Sequence, residues 1–346
     1  MEAAPRRAAT LHDVAREAGV SYATASRALN GSDRNVRAEN VARVHIAAEK
    51  LGYAPHLSAQ AIARGSTSTV ALVVSDVDDP YFSSIAAGVT EAAEAEGLIV
   101  TMAVADRSPD LELRIVRTLR GQRPRAIVIA GSRIDGTDTG ASLLDELEAY
   151  RTAGGRVAIV SQPGLPFPTL AIDNAGGARR LARALVGLGY RHFGVVHAPD
   201  TIRTSHDRRT GFLAGLAESG LGAHLVEVDF TREGGYAAAG VLADRGALPG
   251  RGAGALEVVF AVNDVMAIGV MTGLRDAGLT PGRDLAVAGF DDIGAAVDVT
   301  PPLTSVAVPL HELGRRALRA ALDGTPPGVL PIPAEVVLRG STPPRG

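Results

Sequence analysis

The side chains that invite a chemical reading are the acidic run Asp76, Asp78 and Asp79, the pair His192 and His197, and the stretch Gly250-Arg251-Gly252-Ala253-Gly254. Closely spaced carboxylates suit a hard cation, imidazoles suit a transition metal, and glycines let backbone approach a phosphate. The histidines and the glycine stretch lack the spacing their chemistry needs, whereas the acidic run could bind a cation. The histidines flank one apolar run instead of standing a helical turn apart. The glycine stretch precedes an apolar run, where a dinucleotide loop joins strand to helix, and it lacks GxGxxG spacing. Lys50 is the only lysine, so there is no phosphate-loop lysine motif, and the chain has no cysteine to form a thiolate metal site or a disulfide. The acidic run reads as a solvated loop. These residues argue against an enzyme, a metal site or a cofactor.

Charge carries the next signal. The net charge of −3 hides an asymmetry: residues 1–66 hold nine Arg/Lys against six Asp/Glu, whereas the other 280 residues hold 26 against 32. A small basic head on an acidic body suggests a polyanion partner for the head, although a solvated helical face can carry as much charge. At 346 residues, 46% of them apolar, the chain suits two or three domains with a sizeable core. The opening residues turn amphipathic at once, without the apolar core of a signal peptide, and no run is long enough to span a bilayer. A cytoplasmic location is therefore expected.

Elements that could position such groups fall into two textures. Over residues 10–51 the apolar spacing predicts three short helices. Leu11, Val14, Ala15 and Ala18 form the first stripe behind Thr10 as N-cap, Gly19 ends it, and Ser21 caps a second helix running to about Leu29. Asn30-Gly31-Ser32 is turn chemistry, and Val41, Val44, Ala48 and Leu51 make a third stripe. This is a helix-turn-helix arrangement; a three-helix bundle without a ligand would show the same stripes. Residues 55–66 hold about two turns of helix with little apolar surface, marginal in isolation. From Val70 onward, strand-like runs begin near Val70, Leu98, Ala126 and Arg156, then near Phe193, Leu225, Val258 and Leu285, with helical stretches between. That is the rhythm of βαβ units in buried parallel sheets. Two sets of four imply two similar subdomains, about 67–170 and 171–303, with a return crossing near 304–336. Ligands of such sheets bind beyond the carboxyl ends of the strands.

The string TLHDVAREAGVSYATASRALNG (10–31) closely resembles the DNA-binding head of the lactose-repressor (LacI/GalR) family, with DVA, AGVS and SRALN in the family's order and spacing. LGYAPHLSAQAIARG (51–65) is similar to the family's hinge. DPYFSSIAAGV (79–89), AIDNAGGARRLARALVGLGYRHFGVV (171–196), RRTGFLAGL (208–216), NDVMAIGVM (263–271), VAGFDDI (287–293) and PPLTSV (301–306) follow its regulatory pattern. The resemblance implies an all-α helix-turn-helix head over 1–54, a hinge helix over 55–66, and an α/β periplasmic-binding-protein-like core of two parallel-sheet subdomains over 67–346. It further implies a homodimer that binds double-stranded, pseudo-palindromic operator DNA, acts as a repressor, and answers to a small-molecule effector such as a sugar or nucleoside-like metabolite.

On the head, the resemblance places Tyr22, Ala23 and Arg27 on the reading face. Arg27 offers a bidentate donor pair to guanine, and Ala23 only an apolar contact. Thr10, Ser21, Thr24, Ser26 and Asn30 are phosphate contacts or caps, which position without reading sequence. Ile62 falls where the family inserts a leucine into the minor groove; a packing or solvent-facing role is the alternative. Ala25 stands where the family usually has Val, and Arg37 where it has a Ser that would cap the third helix. In the core, the resemblance points to Tyr81, Phe82, Gln162, Arg208, Phe230, Asn263 and Asp291 as the effector site. Phe230 could equally be core, Asp291 beside Asp292 a loop cap, and Arg208 an interface ion pair. A solute-binding protein without DNA function is the nearer rival reading, opposed by the attached head.

Overall fold

The structure is a computed structural model that describes residues 9–29, 36–53, 67–134, 139–244, 247 and 255–345. It divides into two compact units, Met1–Thr67 and Ser68–Gly346.

The first unit contains α1 (Leu11–Ala18), α2 (Tyr22–Leu29) and α3 (Ala38–Leu51). Thr10 closes a capping box with Asp13, its hydroxyl accepting from the Asp13 amide at 3.3 Å while its own amide donates to the Asp13 carboxylate at 3.0 Å. Gly19 ends α1 in the left-handed region at φ 63°, which glycine adopts without a Cβ penalty. The Ser21 hydroxyl accepts from the Thr24 amide at 3.1 Å and so starts α2. Val14, Ala15, Ala18, Ala25, Ala28, Val44, Ala47 and Ala48 form the core. Six of the eight are alanines, so little apolar area is buried per side chain and the caps weigh more in the head's stability.

Arg37 stands extended before α3 and makes no side-chain cap bond. Arg37→Ser is therefore expected to stabilise the head by about 1 kcal/mol, read as slower amide exchange in α3 of the full chain. Unchanged exchange would show that the helix start is already satisfied.

The second unit runs β1 (Thr69–Val74), α4 (Pro80–Ala95), β2 (Ile99–Val104), α5 (Pro109–Gln122), β3 (Ala126–Ala130), α6 (Thr139–Thr152), β4 (Arg156–Val160) and β5 (Pro168–Ile172). It continues through α7 (Asn174–Gly187), β6 (Phe193–His197), α8 (Arg203–Ala217), β7 (Ala223–Glu227), α9 (Arg232–Asp244), β8 (Val258–Ala261), α10 (Asp264–Asp276), β9 (Ala286–Ala288) and α11 (Ala295–Asp298). The last elements are β10 (Ser305–Ala307), α12 (Leu310–Leu322), β11 (Gly328–Ile332) and β12 (Glu335–Val337). One sheet is six-stranded and parallel, in the order β11-β5-β4-β3-β1-β2, and another is four-stranded and parallel, in the order β7-β6-β8-β9. β10 and β12 pair antiparallel as a separate ribbon.

All eight strand-like runs form strands, but the two sheets are unequal. β5 and β11, which the apolar pattern did not separate from loop, extend the first sheet. β5 begins on Pro168 and touches β4 at only two paired positions. β11 carries Pro331 and lies at the sheet edge, where a missing backbone donor is tolerated. β5 also straddles the subdomain division expected near residue 170. After β10 the chain returns: α12 packs on α4 and β4, β11 joins the first sheet, and β12 goes back to β10 and α7. The two subdomains thus exchange chain near Asp173, Pro309 and Pro333. The Asp173 amide donating to the Ile332 carbonyl at 3.1 Å ties two of these crossings together.

Candidate functional site

On α2 the hydrophobic seam and the outward face separate cleanly. Ala25 and Ala28 are buried, whereas Tyr22, Ala23 and Arg27 are exposed, Tyr22 to 49%. Tyr22 stacks against His12 with ring centroids 4.5 Å apart, which restrains the tyrosine at the start of the helix. Thr24 and Ser26 are half-buried, and the Thr24 and Ser21 hydroxyls lie 2.8 Å apart. The Thr10 and Ser21 hydroxyls serve their own helix starts, so capping is their local role. Asn30 and Ile62 lie outside the described residues.

In the second unit, a cleft of about 660 Å³, counted out to its solvent-open mouth, lies between the carboxyl ends of the two parallel sheets, where open α/β sheets bind ligands. Tyr81, Phe82, Gln162, Arg208, Phe230, Asn263 and Asp291 all line it. Each hangs from a strand end or the helix that follows. Tyr81 and Phe82 start α4, capped by Asp79, whose carboxylate accepts from the Tyr81 amide at 3.0 Å. Gln162 follows β4, Phe230 follows β7, Asn263 follows β8 and caps α10, and Asp291 follows β9.

Arg208 is the hub. Its guanidinium donates to the Asn174 side-chain oxygen at 2.8 Å, the Val262 carbonyl at 2.9 Å, and both Asp291 oxygens at 2.6 and 3.1 Å. Its carbon also sits 3.9 Å from the Phe290 ring centroid, a cation–π contact. The pair is almost fully buried, with side chains 2% and 5% exposed. Burial pushes the Asp291 carboxyl up to about 6, against the pull of Arg208. Asp291 and Asp292 both hold positive φ, at 104° and 54°. Such backbone persists only where its surroundings over-determine it. Here Arg339 grips the Asp292 carboxylate, and the buried Asp264 carboxyl accepts from Ser305 at 2.6 Å and from the Ile293 amide at 2.9 Å. Burial first, and then the nearby Asp291 charge, hold Asp264 well above the usual carboxylate range.

Gln162 also ties the two subdomains together. Its oxygen accepts from the Arg133 amide at 3.0 Å and its nitrogen donates to Thr204 of the other subdomain at 2.7 Å. Ser132 accepts from the Thr204 amide at 3.0 Å, and Ile134 bridges Ile202. Gln162 therefore lines the cavity as part of a clamp between subdomains. Of the opening candidates, Asp76 pairs with Arg107 at 2.9 Å, His192 lies 3.7 Å from Glu257, and His197 is buried with Nδ1 2.8 Å from the Ala198 carbonyl.

Sequence reasoning passed over Arg107, Asn174, Ser132 and Thr204, and read Asp79 only as part of a solvated acidic run. Asp79 and Asn174 sit inside the quoted DPYF and AIDN strings. Arg107 had no such signal: it stands in a loop after β2, 5.0 Å over the Phe230 ring.

Comparison with known proteins decides the family. Residues 10–56 match the bacterial regulatory proteins of the lacI family, and residues 182–342 match the periplasmic binding protein-like domain. The chain is 32% identical to the HTH-type transcriptional regulator GalR of Escherichia coli K12 over 319 residues, 91% of this chain and 88% of that one. The chain belongs to the lacI family. It is a DNA-binding transcription regulator. Among other family members, it is 32% identical to the transcriptional regulator CelR of Thermobifida fusca over 326 residues, 92% of each chain. A solved CelR–cellobiose complex superposes with a TM-score of 0.68 at 30% identity, covering 96% of this chain and 99% of that one. A lac repressor dimer bound to operator and the anti-inducer ONPF superposes with a TM-score of 0.80 at 24% identity, covering 97% and 100%; that likeness concerns the fold. The helix-turn-helix head and the two-sheet periplasmic-binding-like core are the architecture of the family.

Proposed function

We propose that this regulator is a cytoplasmic repressor that binds a pseudo-palindromic operator as a homodimer, and that a sugar or nucleoside-like effector in the cavity resets its operator affinity. The observation that carries the effector reading is the cavity itself: seven resemblance-assigned residues from strand ends and the helices that follow them converge on one cleft around the Arg208–Asp291 pair. Aromatic faces beside hydroxyl, amide and charged groups suit a polyhydroxylated ligand. The effector acts only through a difference in affinity between DNA-competent and DNA-incompetent states.

For the DNA side, Tyr22, Ala23 and Arg27 are the candidate readers, and Ile62 is the candidate minor-groove wedge. A second copy of the chain has a natural seat on the edge strand β2, which leaves Ile99 and Met102 exposed. Among the described residues no helix is long and apolar enough to cross a membrane.

Operator affinity is expected to fall by about 10³–10⁵ between 50 and 200 mM salt, as for a protein neutralising roughly 6–10 phosphates. Arg27→Ala is expected to cost about 1–3 kcal/mol and to relax specificity at a single base position in each half-site. Quantitative footprinting over a salt series checks both, and a fragment spanning 67–346 should bind no operator. A salt-insensitive complex, or a footprint without two half-sites, would sink the dimeric reading. For the effector, a thermal-shift screen of sugars and nucleosides on the full chain should find a ligand that stabilises by about 2.7 kcal/mol at 100 times its Kd. That ligand must then change operator affinity; one that binds without doing so is not the effector.

A further inference from the structure

We infer that the arginine-rich amino edge of the six-stranded sheet is a second DNA contact, which meets backbone phosphates without reading sequence once the head has bound the duplex.

The signal starts in the sequence. Over residues 67–346 acidic residues outnumber basic ones by 32 to 26, yet residues 114–125 hold five arginines and no Asp or Glu. Arg114, Arg117 and Arg120 recur every three residues along α5, Arg123 ends the helix, and Arg125 stands directly before β3. All five are exposed. Like charges three apart on a helix repel and weaken it. Glu146 of α6 offsets part of this, taking Arg117 at 3.0 Å and Arg120 at 2.8 Å. Cations also favour a helix carboxyl end, which accounts for Arg120 and Arg123. Neither reason covers Arg114 and Arg125, whose side chains close no ion pair among the described residues. Arg123 moreover holds φ 52°, a left-handed position that glycine fills without a Cβ penalty. The fold gains little from this row of charge.

Its place points to its partner. The strands run parallel, so residues just before β3 stand at the sheet's amino edge beside the starts of β1 and β4. There the Arg125 amide donates to the Thr69 carbonyl at 2.8 Å, next to Ser68, where the chain arrives from the head. Arg156 opens β4 opposite Ala126, is exposed, and likewise closes no ion pair among the described residues. On the other side of β1 the surface changes sign, with Glu94 and Glu96 exposed at the end of α4 ahead of β2. Guanidiniums offered to solvent where the chain arrives from a DNA-binding head suit phosphate oxygens. A few such contacts do not hold DNA against an acidic body. The head supplies the rest, because a duplex it already holds is presented to the edge at high effective concentration.

The test is fluorescence anisotropy of a labelled duplex of random sequence, titrated with the full chain at 50 and 200 mM salt, so that only sequence-independent contacts are read. Arg125→Gln combined with Arg156→Gln is expected to bind more weakly at the lower salt. Its affinity should vary about tenfold less than the parent's between the two salts, as for two lost phosphate contacts. Arg125→Lys combined with Arg156→Lys keeps the charge and should restore the parent's salt dependence. Melting temperatures should match throughout, since the replaced side chains are exposed and leave no carboxylate stranded. Arg179→Gln combined with Arg232→Gln removes the same charge from α7 and α9 of the second subdomain. That pair should bind as the parent does, because charges beyond a Debye length of the duplex are screened. Equal salt dependence in the parent and the Arg125–Arg156 glutamine pair overturns the inference and leaves an acidic protein surface as the row's partner. An equal loss in the second-subdomain pair also overturns it, since net charge alone would then be acting. So does a loss that the lysine pair fails to restore.

Discussion

Arg208→Ala is expected to lose roughly 3–5 kcal/mol of stability and to abolish the effector response, leaving the operator contacts of the head in place. The size follows from what is stranded. Truncation leaves the buried Asp291 carboxylate without the bidentate partner that compensates its burial, and leaves the Asn174 oxygen and Val262 carbonyl without their shared donor. The sign of the pH dependence separates charge from packing. With Arg208 present the Asp291 carboxyl is pushed up to about 6, above the ordinary 3.8 of an aspartate, so as pH falls native Asp291 takes up its proton before the unfolded chain does. Its burial therefore weighs against the native state most above pH 6, and that cost is gone below the unfolded value. Without the guanidinium the carboxyl is raised further. Ionisation then hurts the variant more than the parent at neutral pH, and the deficit should shrink as pH falls toward 6 and level off below it. Thermal melts of parent and variant between pH 5 and 8 check this. A pH-independent deficit would mean that the lost packing on Phe290 dominates.

A paired replacement sharpens the point. Arg208→Met combined with Asp291→Asn removes both charges, and buried pairs replaced together are often near neutral in stability. The double variant is expected to melt closer to the parent than Arg208→Ala does, while still failing to respond to effector. Stability and response would then be separated within one pair of side chains.

How much of this was legible in the sequence depends on which physical signal each element carried. The caps at Thr10 and Ser21 and the stop at Gly19 follow from local chemistry, which is written in adjacent residues, whereas the missing cap at Arg37 was legible only through the resemblance. Six of the eight strand-like runs were legible because strands buried on both faces read as continuous apolar stretches, and β2 and β7 keep an apolar run although they are largely exposed. β5 and β11 were not: Pro168 and Pro331 are turn signals, tolerated here by a strand start and a sheet edge that only the assembled sheet reveals. In the cavity, the resemblance singled out Arg208 and Asp291, but no local pattern says that residues 83 positions apart form a bidentate pair. Gln162 is a parallel case. The resemblance assigns it to the effector site, and no local signal says that its amide also reaches Thr204. Arg107 has neither motif nor periodicity, and its place over Phe230 exists only because two loops from different subdomains meet.

The cavity's geometry also depends on a contact far from any polar group, where α4 crosses α12. A Cβ at Gly88 would lie 1.9 Å from the His311 carbonyl oxygen, and one at Gly314 would lie 2.1 Å from the Ile85 carbonyl oxygen. Both obstacles are backbone, so no rotamer change relieves them and the helices must separate. Separation opens the buried seam of Ile85, Val89, Leu313 and Ala317 and moves α4, whose first turn carries Tyr81 and Phe82 into the cavity. Gly88→Ala and Gly314→Ala are each expected to destabilise by about 3 kcal/mol, although alanine is the better helix former. For a unit of this size that is roughly 6–12 °C in melting temperature. Gly121 in α5 supplies the control, because a Cβ there meets nothing within 4 Å, and Gly121→Ala should gain up to about 1 kcal/mol. Thermal melts of the three variants with and without effector test the argument. If Gly88→Ala melts with the parent, the two helices can part without loss, and the seam does not hold Tyr81 and Phe82 in place. If instead it melts early and its effector affinity falls with it, the close crossing is what presents the aromatic wall of the site.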